Sequence, residues 1–99
     1  MDKKIIWSPK AAATLEQIYI YIAQNSEYYA SVVIKNIIDI IESIPVFPFS
    51  GRIVPEYQNE NIREKFYKHY RIVYQITDQC IEIVAIVHGA QMPKDIDNF

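Results

Sequence analysis

The basic side chains of this 99-residue chain are concentrated in one segment. Residues 50–74 hold five basic and three acidic side chains, whereas the whole chain carries a net charge of −2. A cluster of this kind is either the solvated face of a strand or a contact surface for an anionic partner. The overall charge excludes nucleic-acid binding over the whole surface. The five basic residues are Arg52, Arg63, Lys65, Lys68 and Arg71.

Few other side chains suggest chemistry. His88 either serves as a general base or is a half-buried residue at a strand end, and His69 lies in a predicted turn. Cys80 is the only cysteine, so no internal disulfide forms. Neither histidine has the neighbouring Cys, His or carboxylate spacing of a metal site, and we expect neither a metal nor a cofactor. Arg52 lies in a predicted loop, which favours contact with another molecule.

Helical spacing dominates the first half of the chain. Ser8-Pro9 is a typical helix start, and the apolar residues from Ala11 to Ile22 predict a helix over 9–24. A second apolar stripe from Ala30 to Ile44 predicts a helix over 27–44, ended by Pro45. The short connection between the helices predicts an antiparallel hairpin.

The second half changes to the alternating pattern of strands. Residues 45–61 form a long predicted loop, and residues 62–67, 70–76 and 80–88 are rich in β-branched and aromatic side chains. With residues 4–7 as a further strand, the order is β-α-α-β-β-β in a single α+β domain over 1–99, with the helix hairpin on one face of a mostly antiparallel sheet. No signal peptide or membrane span is evident, which favours the cytoplasm.

The helices carry more apolar residues than one buried face requires. The excess residues are Ile20, Val32, Ile38 and Ile40. Either the helices are buried on two sides or a partner covers part of this surface. We favour the partner.

Several short motifs, in order, resemble the ParE/RelE superfamily of bacterial toxins over residues 4 to about 91. The similar segments are Trp7-Ser8-Pro9, Tyr21-Ile22, Gly51-Arg52, Pro55-Glu56, Ile62-Arg63-Glu64, Tyr70-Arg71-Ile72-Val73-Tyr74 and Val87-His88-Gly89. The resemblance implies a cognate antitoxin as partner and a complex of the two proteins. It also implies one of two activities. ParE-like toxins poison DNA gyrase, and RelE-like toxins cleave mRNA in the ribosome.

The RelE-like activity would depend on Arg63, Lys65 and Arg71, which match basic positions of that branch and would stabilise negative charge on a cleaved phosphate. Arg63 and Lys65 share one strand face by alternation, whereas the face of Arg71 depends on hairpin register. Arg71 alternatively pairs with Glu64 or Glu82 and serves only the fold.

The end of the chain departs from the cleaving branch. Gln91 stands where those toxins have an arginine, and residues 95–99, Asp-Ile-Asp-Asn-Phe, lack the terminal tyrosine. We therefore expect a ParE-like toxin that inhibits gyrase by binding, through Arg52, Arg71, His88, Ile20 and Ile38 toward target or antitoxin. A ribosome-dependent endonuclease is the alternative, and a non-toxic protein that still binds its antitoxin is the third.

Overall fold

The structure, a computed structural model, describes residues 3–89. Its elements are β1, Lys4–Trp7; α1, Pro9–Ala23; α2, Glu27–Ser43; β2, Arg52–Ile53; β3, Ile62–Tyr67; β4, Tyr70–Ile76; and β5, Cys80–His88. Two 3₁₀ turns, Ile44–Val46 and Pro48–Ser50, follow α2. The predicted α+β class, with a helix hairpin packed on a sheet, is confirmed.

Serine side chains begin both helices. The Ser8 hydroxyl accepts a hydrogen bond from the Ala11 N–H at 3.0 Å, and Ser26 accepts one from the Tyr29 N–H at 3.0 Å. Each bond satisfies an N–H that has no partner within its own helix. The Ser8 hydroxyl also donates to the Val84 carbonyl on β5 at 2.8 Å, which fixes the start of α1 against the sheet.

The sheet has five strands in the order β1-β5-β4-β3-β2. β1 runs parallel to β5, and the remaining pairs are antiparallel. The ammonium group of Lys3 donates to the Thr77 carbonyl at 2.7 Å, beside the turn between β4 and β5. Because β5 pairs with β1 on one side and with β4 on the other, it lies inside the sheet, a position that suits the continuous apolar sequence of residues 83–87.

Both faces of the sheet are buried. The helix hairpin covers one face, where Ile37 and Ile41 of α2 pack with the inward residues of β4 and β5. On the other face, Val54 of the long loop packs with residues of β3, β4 and β5. That second cluster consists of Val54, Ile62, Val73, Val84 and Ala85, with Tyr57 and Val87 against it.

Three details differ from the sequence prediction. Each helix ends one residue earlier than predicted, at Ala23 and Ser43. The segment 45–61 is not a structureless loop, because it contains 3₁₀ turns and the two-residue strand β2. The order is therefore β-α-α-β-β-β-β. A two-residue strand has too few positions for an alternating pattern to reveal it.

Candidate functional site

The pairing of β3 with β4 decides which basic residues share a face. Glu64 lies opposite Val73, and Phe66 lies opposite Arg71. Residues opposite each other point to the same side, so Arg71 shares its side with Glu64. Arg63 and Lys65 point to the other side. The three residues predicted for phosphate stabilisation are thus divided by the sheet.

Arg71 is a buried member of an ion-pair network. Its side chain is 8% exposed and that of Glu64 is 0% exposed. The Arg71 Nε donates to Glu64 Oε1 at 2.7 Å, while Nη1 and Nη2 donate to the two Glu56 oxygens at 3.1 and 3.0 Å. The guanidinium N–H groups thus donate to protein carboxylates, and the buried side chain is poorly accessible to an external phosphate.

Arg52 extends the same network to the surface. Its Nε donates to Glu64 Oε2 at 2.8 Å, and its guanidinium carbon lies 5.2 Å from the centre of the Phe66 ring. The Arg52 side chain is 57% exposed. Of the arginines in the network it is therefore the one that an outside partner can reach, and its role as a contact residue stays a prediction.

The contact between Glu56 and Arg71 shifts the pKa of both side chains. The hydrogen bonds from Arg71 lower the pKa of the Glu56 carboxyl below its ordinary value. The same bonds raise the pKa of the Arg71 guanidinium above its ordinary value. Both shifts favour the charged forms, so Glu56 and Arg71 stay ionised at neutral pH. The network connects β3 and β4 to Glu56 in the loop that covers the second face.

Arg63 holds the segment after α2 in place. Its Nη1 donates to the carbonyl oxygens of Phe49 at 2.9 Å and Gly51 at 3.0 Å, and its Nε donates to the Glu60 carbonyl at 2.8 Å. The guanidinium carbon also lies 5.0 Å from the centre of the Phe49 ring. Arg63 therefore organises the loop, a role that the sequence analysis missed because its partners are distant backbone carbonyls.

Tyr74 supports the same segment from beneath. Its side chain is fully buried, its hydroxyl donates to the Pro48 carbonyl at 2.7 Å, and it accepts from the Gly51 N–H at 3.2 Å. Burial raises the pKa of this phenol. A Cβ on Gly51 would lie 2.8 Å from the Glu64 carbonyl and closer still to the Tyr74 hydroxyl, so glycine is required there. The glycine of the Gly51-Arg52 motif is therefore explained by steric crowding around its Cα.

The remaining candidates are dispersed. His88 is exposed, with its ring centre 5.1 Å from that of Tyr70 and 6.0 Å from that of His69. Ile20 is exposed on α1, and Ile38 lines a groove of about 450 Å³ between β1 and the helices, together with Trp7. Neither isoleucine lies beside Arg52, so the predicted contact residues do not form one site.

Gln91 and the acidic end at 95–99 lie outside the described residues, so their predicted effect on the phosphate site stays a prediction. Within residues 3–89 no group of three or more His, Cys, Asp or Glu side chains is arranged to hold a metal ion. No helix in that range is long and apolar enough to span a membrane.

Two solved structures resemble this fold. A chain of the chromosomal ParDE toxin–antitoxin system from P. aeruginosa aligns with a TM-score of 0.73 at 19% identity, covering 88% of this chain and 96% of its own length. The YoeB dimer structure from Staphylococcus aureus aligns with a TM-score of 0.61 at 20% identity, covering 93% of this chain and 100% of that one. At these identities the likeness shows the fold alone. The chain has no significant match among curated proteins.

The helix hairpin on a five-stranded sheet is thus the fold that this chain shares with those two proteins. The family described as "ParE toxin of type II toxin-antitoxin system, parDE" matches residues 5–93. This chain belongs to that family, and it is the toxin of a type II toxin–antitoxin pair. The family implies an antitoxin as its partner, which confirms that part of the sequence prediction.

Proposed function

We propose that this toxin acts by binding DNA gyrase in the cytoplasm and does not cleave RNA itself. The observation that carries the proposal is the position of Arg71, buried between Glu64 and Glu56. Cleavage of RNA through the 2′-hydroxyl needs fixed cations aimed at one phosphate. Here Arg71 faces two carboxylates, and Arg63 and Lys65 lie on the opposite face of the sheet.

Arg63 adds to the same argument. Three of its hydrogen bonds are to carbonyl oxygens of the segment 49–60. Turning the guanidinium toward a substrate would break them and release the loop. A cleaving site built on Arg63 would therefore compete with the fold, whereas a binding surface has no such requirement.

The antitoxin has a suitable surface elsewhere. We propose that it covers the outside of the helix hairpin, including Ile20 and the groove lined by Ile38. Apolar surface of this kind is typical of protein contacts. Covering it would form the hetero-oligomer expected of the toxin with its antitoxin.

The test is induced expression of the toxin without its antitoxin, with two separate measurements. Primer extension on ribosome-bound mRNA detects A-site cleavage, and a supercoiling assay with purified gyrase detects inhibition of that enzyme. We expect gyrase inhibition, with intact mRNA. The matched variant is Arg63→Ala with Lys65→Ala, which removes the two cations that share a face.

Each alternative predicts a different result. A-site cuts by the wild-type protein that disappear in the double variant would establish the endonuclease and overturn the gyrase proposal. Growth without mRNA cleavage or gyrase inhibition, in cells that contain the folded protein, would indicate the non-toxic antitoxin-binding protein. In the gyrase case the double variant still leaves mRNA intact.

A further inference from the structure

An exposed apolar projection follows α2. Val46, Phe47 and Phe49 are each more than half exposed, and Phe47 reaches 72%. We call these three residues the aromatic projection. Val46 ends the first 3₁₀ turn, Phe49 lies in the second, and Phe47 lies between the two turns, within the sequence Ile-Pro-Val-Phe-Pro-Phe. Exposed apolar patches of neighbouring residues are uncommon unless another molecule covers them.

Hydrogen bonds hold the backbone of the aromatic projection in place. The Tyr74 hydroxyl bonds the Pro48 carbonyl, Arg63 bonds the Phe49 carbonyl, and the Ser50 N–H donates to the Phe47 carbonyl at 3.0 Å. The segment is therefore fixed in one conformation although its side chains point outward. A surface ordered in advance loses less conformational entropy when it binds. Rigid support beneath exposed aromatic rings is typical of a binding surface.

Positive charge surrounds the aromatic projection. Arg63 keeps its charge uncompensated by these bonds, because each joins it to a neutral carbonyl. Beside the projection, Lys65 and Arg52 line a groove of about 470 Å³ that also includes Ser50, Phe66 and Glu64. Glu64 pairs with Arg52, and Lys65 has no such carboxylate among the other lining residues. The whole chain has a net charge of −2, so this excess of positive charge is local. An acidic partner would be attracted to this region of the chain.

We propose that the aromatic projection and its basic groove form the surface that binds the toxin's target protein. The partner would offer an apolar pocket for Phe47, surrounded by carboxylates that face Arg52 and Lys65. This inference rests on the proposed function, under which the partner is gyrase. The surface lies at the C-terminal end of α2. The apolar helix surface proposed for the antitoxin includes Ile20 on α1, so each surface has its own residues.

The test compares two aromatic residues of equal exposure. Phe47 and Tyr21 are both 72% exposed, but Tyr21 lies on α1, outside the aromatic projection. The variants are Phe47→Ala and Phe47→Glu, with Tyr21→Ala and Tyr21→Glu as controls. Circular dichroism and thermal unfolding first establish that all four are folded. The readouts are growth inhibition on induction, inhibition of purified gyrase, and binding of the antitoxin.

We expect Phe47→Ala to raise the toxin concentration needed for half inhibition by about 10-fold or more, as for a central aromatic contact. Phe47→Glu should raise it by about 100-fold, because a carboxylate would face the acidic partner. Both Phe47 variants should bind antitoxin as the wild-type protein does. The two Tyr21 controls should keep growth inhibition.

Four results would overturn the proposal. Folded Phe47 variants with wild-type growth inhibition would remove the surface from target binding, as would a wild-type protein with no toxic effect. Loss of antitoxin binding in parallel with toxicity would assign the surface to the antitoxin. Tight binding of a fluorescent single-stranded RNA, lost in Phe47→Ala, would assign it to nucleic acid. If wild-type toxin inhibits growth but not gyrase, the gyrase proposal fails, while the growth comparison still tests this surface.

Discussion

Glu64 is the carboxylate that binds two arginines on one face of the sheet. Its carboxylate is fully buried and accepts from Arg71 and Arg52. Removing its charge leaves Arg71 buried with Glu56 as its remaining carboxylate in the network. Breaking a buried ion pair by removing one partner typically costs about 3–5 kcal/mol, because the other charge stays buried.

We therefore predict that Glu64→Gln lowers the free energy of unfolding by about 2–3 kcal/mol, a reduced loss because Glu56 still balances Arg71. Urea denaturation at neutral pH measures it. The control is Glu64→Gln combined with Arg71→Gln, which removes both members of the buried pair and should recover part of the loss. A double variant less stable than the single one would contradict this explanation.

Glu56 gives the network a dependence on pH. Its folded-state pKa lies below the ordinary value of 4.5, because Arg71 donates two hydrogen bonds to the carboxylate. The stabilisation is therefore fully present above pH 4.5 and disappears as the pH falls through the folded-state pKa. Urea midpoints of wild type and Glu56→Gln should differ at pH 7 and converge in acid. A difference that is constant with pH would contradict the prediction.

The roles of single residues were only partly predictable from the sequence. Pairing of Arg71 with Glu64 was one of two interpretations left open, since the face of Arg71 depends on strand register. Arg63 was predicted as a candidate cation for phosphate, but its bonds to Phe49 and Gly51 depend on the path of a loop. Backbone carbonyls leave no signature in a sequence, and this kind of contact cannot be found there.

At the scale of elements, Tyr74 couples strand β4 to the segment 46–51. Its hydroxyl bridges the Pro48 carbonyl and the Gly51 N–H. We predict that Tyr74→Phe lowers the free energy of unfolding by about 1–3 kcal/mol, because it leaves a buried donor and acceptor unpaired. Hydrogen exchange at residues 46–51 should accelerate as well. The toxic activity should fall as well, since the aromatic projection loses the two hydrogen bonds of the Tyr74 hydroxyl.

The control for this change is Tyr67→Phe. Its hydroxyl accepts from the Asn36 side chain of α2 at 3.1 Å and has no bond to the segment 46–51. The Tyr67→Phe variant should leave hydrogen exchange at residues 46–51 unchanged. Equal exchange at residues 46–51 in wild type and Tyr74→Phe would show that other contacts, such as those of Arg63, hold the segment.

The major elements were more predictable than their contacts. Both helices and the strands after residue 61 follow from apolar spacing, helix caps and turns, which act locally. β2 was missed because a two-residue strand depends on its partner β3 and not on its own pattern. The covering of the second sheet face by Val54 was also missed, because a single apolar loop residue gives no periodic signal.

At the scale of the whole molecule, the toxin carries two apolar surfaces built from different residues. One includes Ile20 on α1, and the other is the aromatic projection after α2. If the antitoxin binds the first and the target binds the second, a variant can lose one interaction and keep the other. The antitoxin would then neutralise the toxin without contacting the aromatic projection. It would block the target sterically, either by covering surface next to the projection or by the bulk of the toxin–antitoxin complex.

We predict that Ile20→Asp separates toxicity from neutralisation. Ile20 is exposed in the free toxin, so the substitution should change the free energy of unfolding by no more than about 0.5 kcal/mol. In the complex it would bury a carboxylate without a partner, and we expect antitoxin affinity to fall by about 10-fold or more. The variant toxin should still arrest growth, and co-expressed antitoxin should rescue it poorly. Calorimetric titration and size exclusion measure the loss directly. Gln79→Asp adds the same charge in the exposed turn before β5 and should be rescued as wild type is. Full rescue of Ile20→Asp, with unchanged affinity, would place the antitoxin on another surface of the toxin.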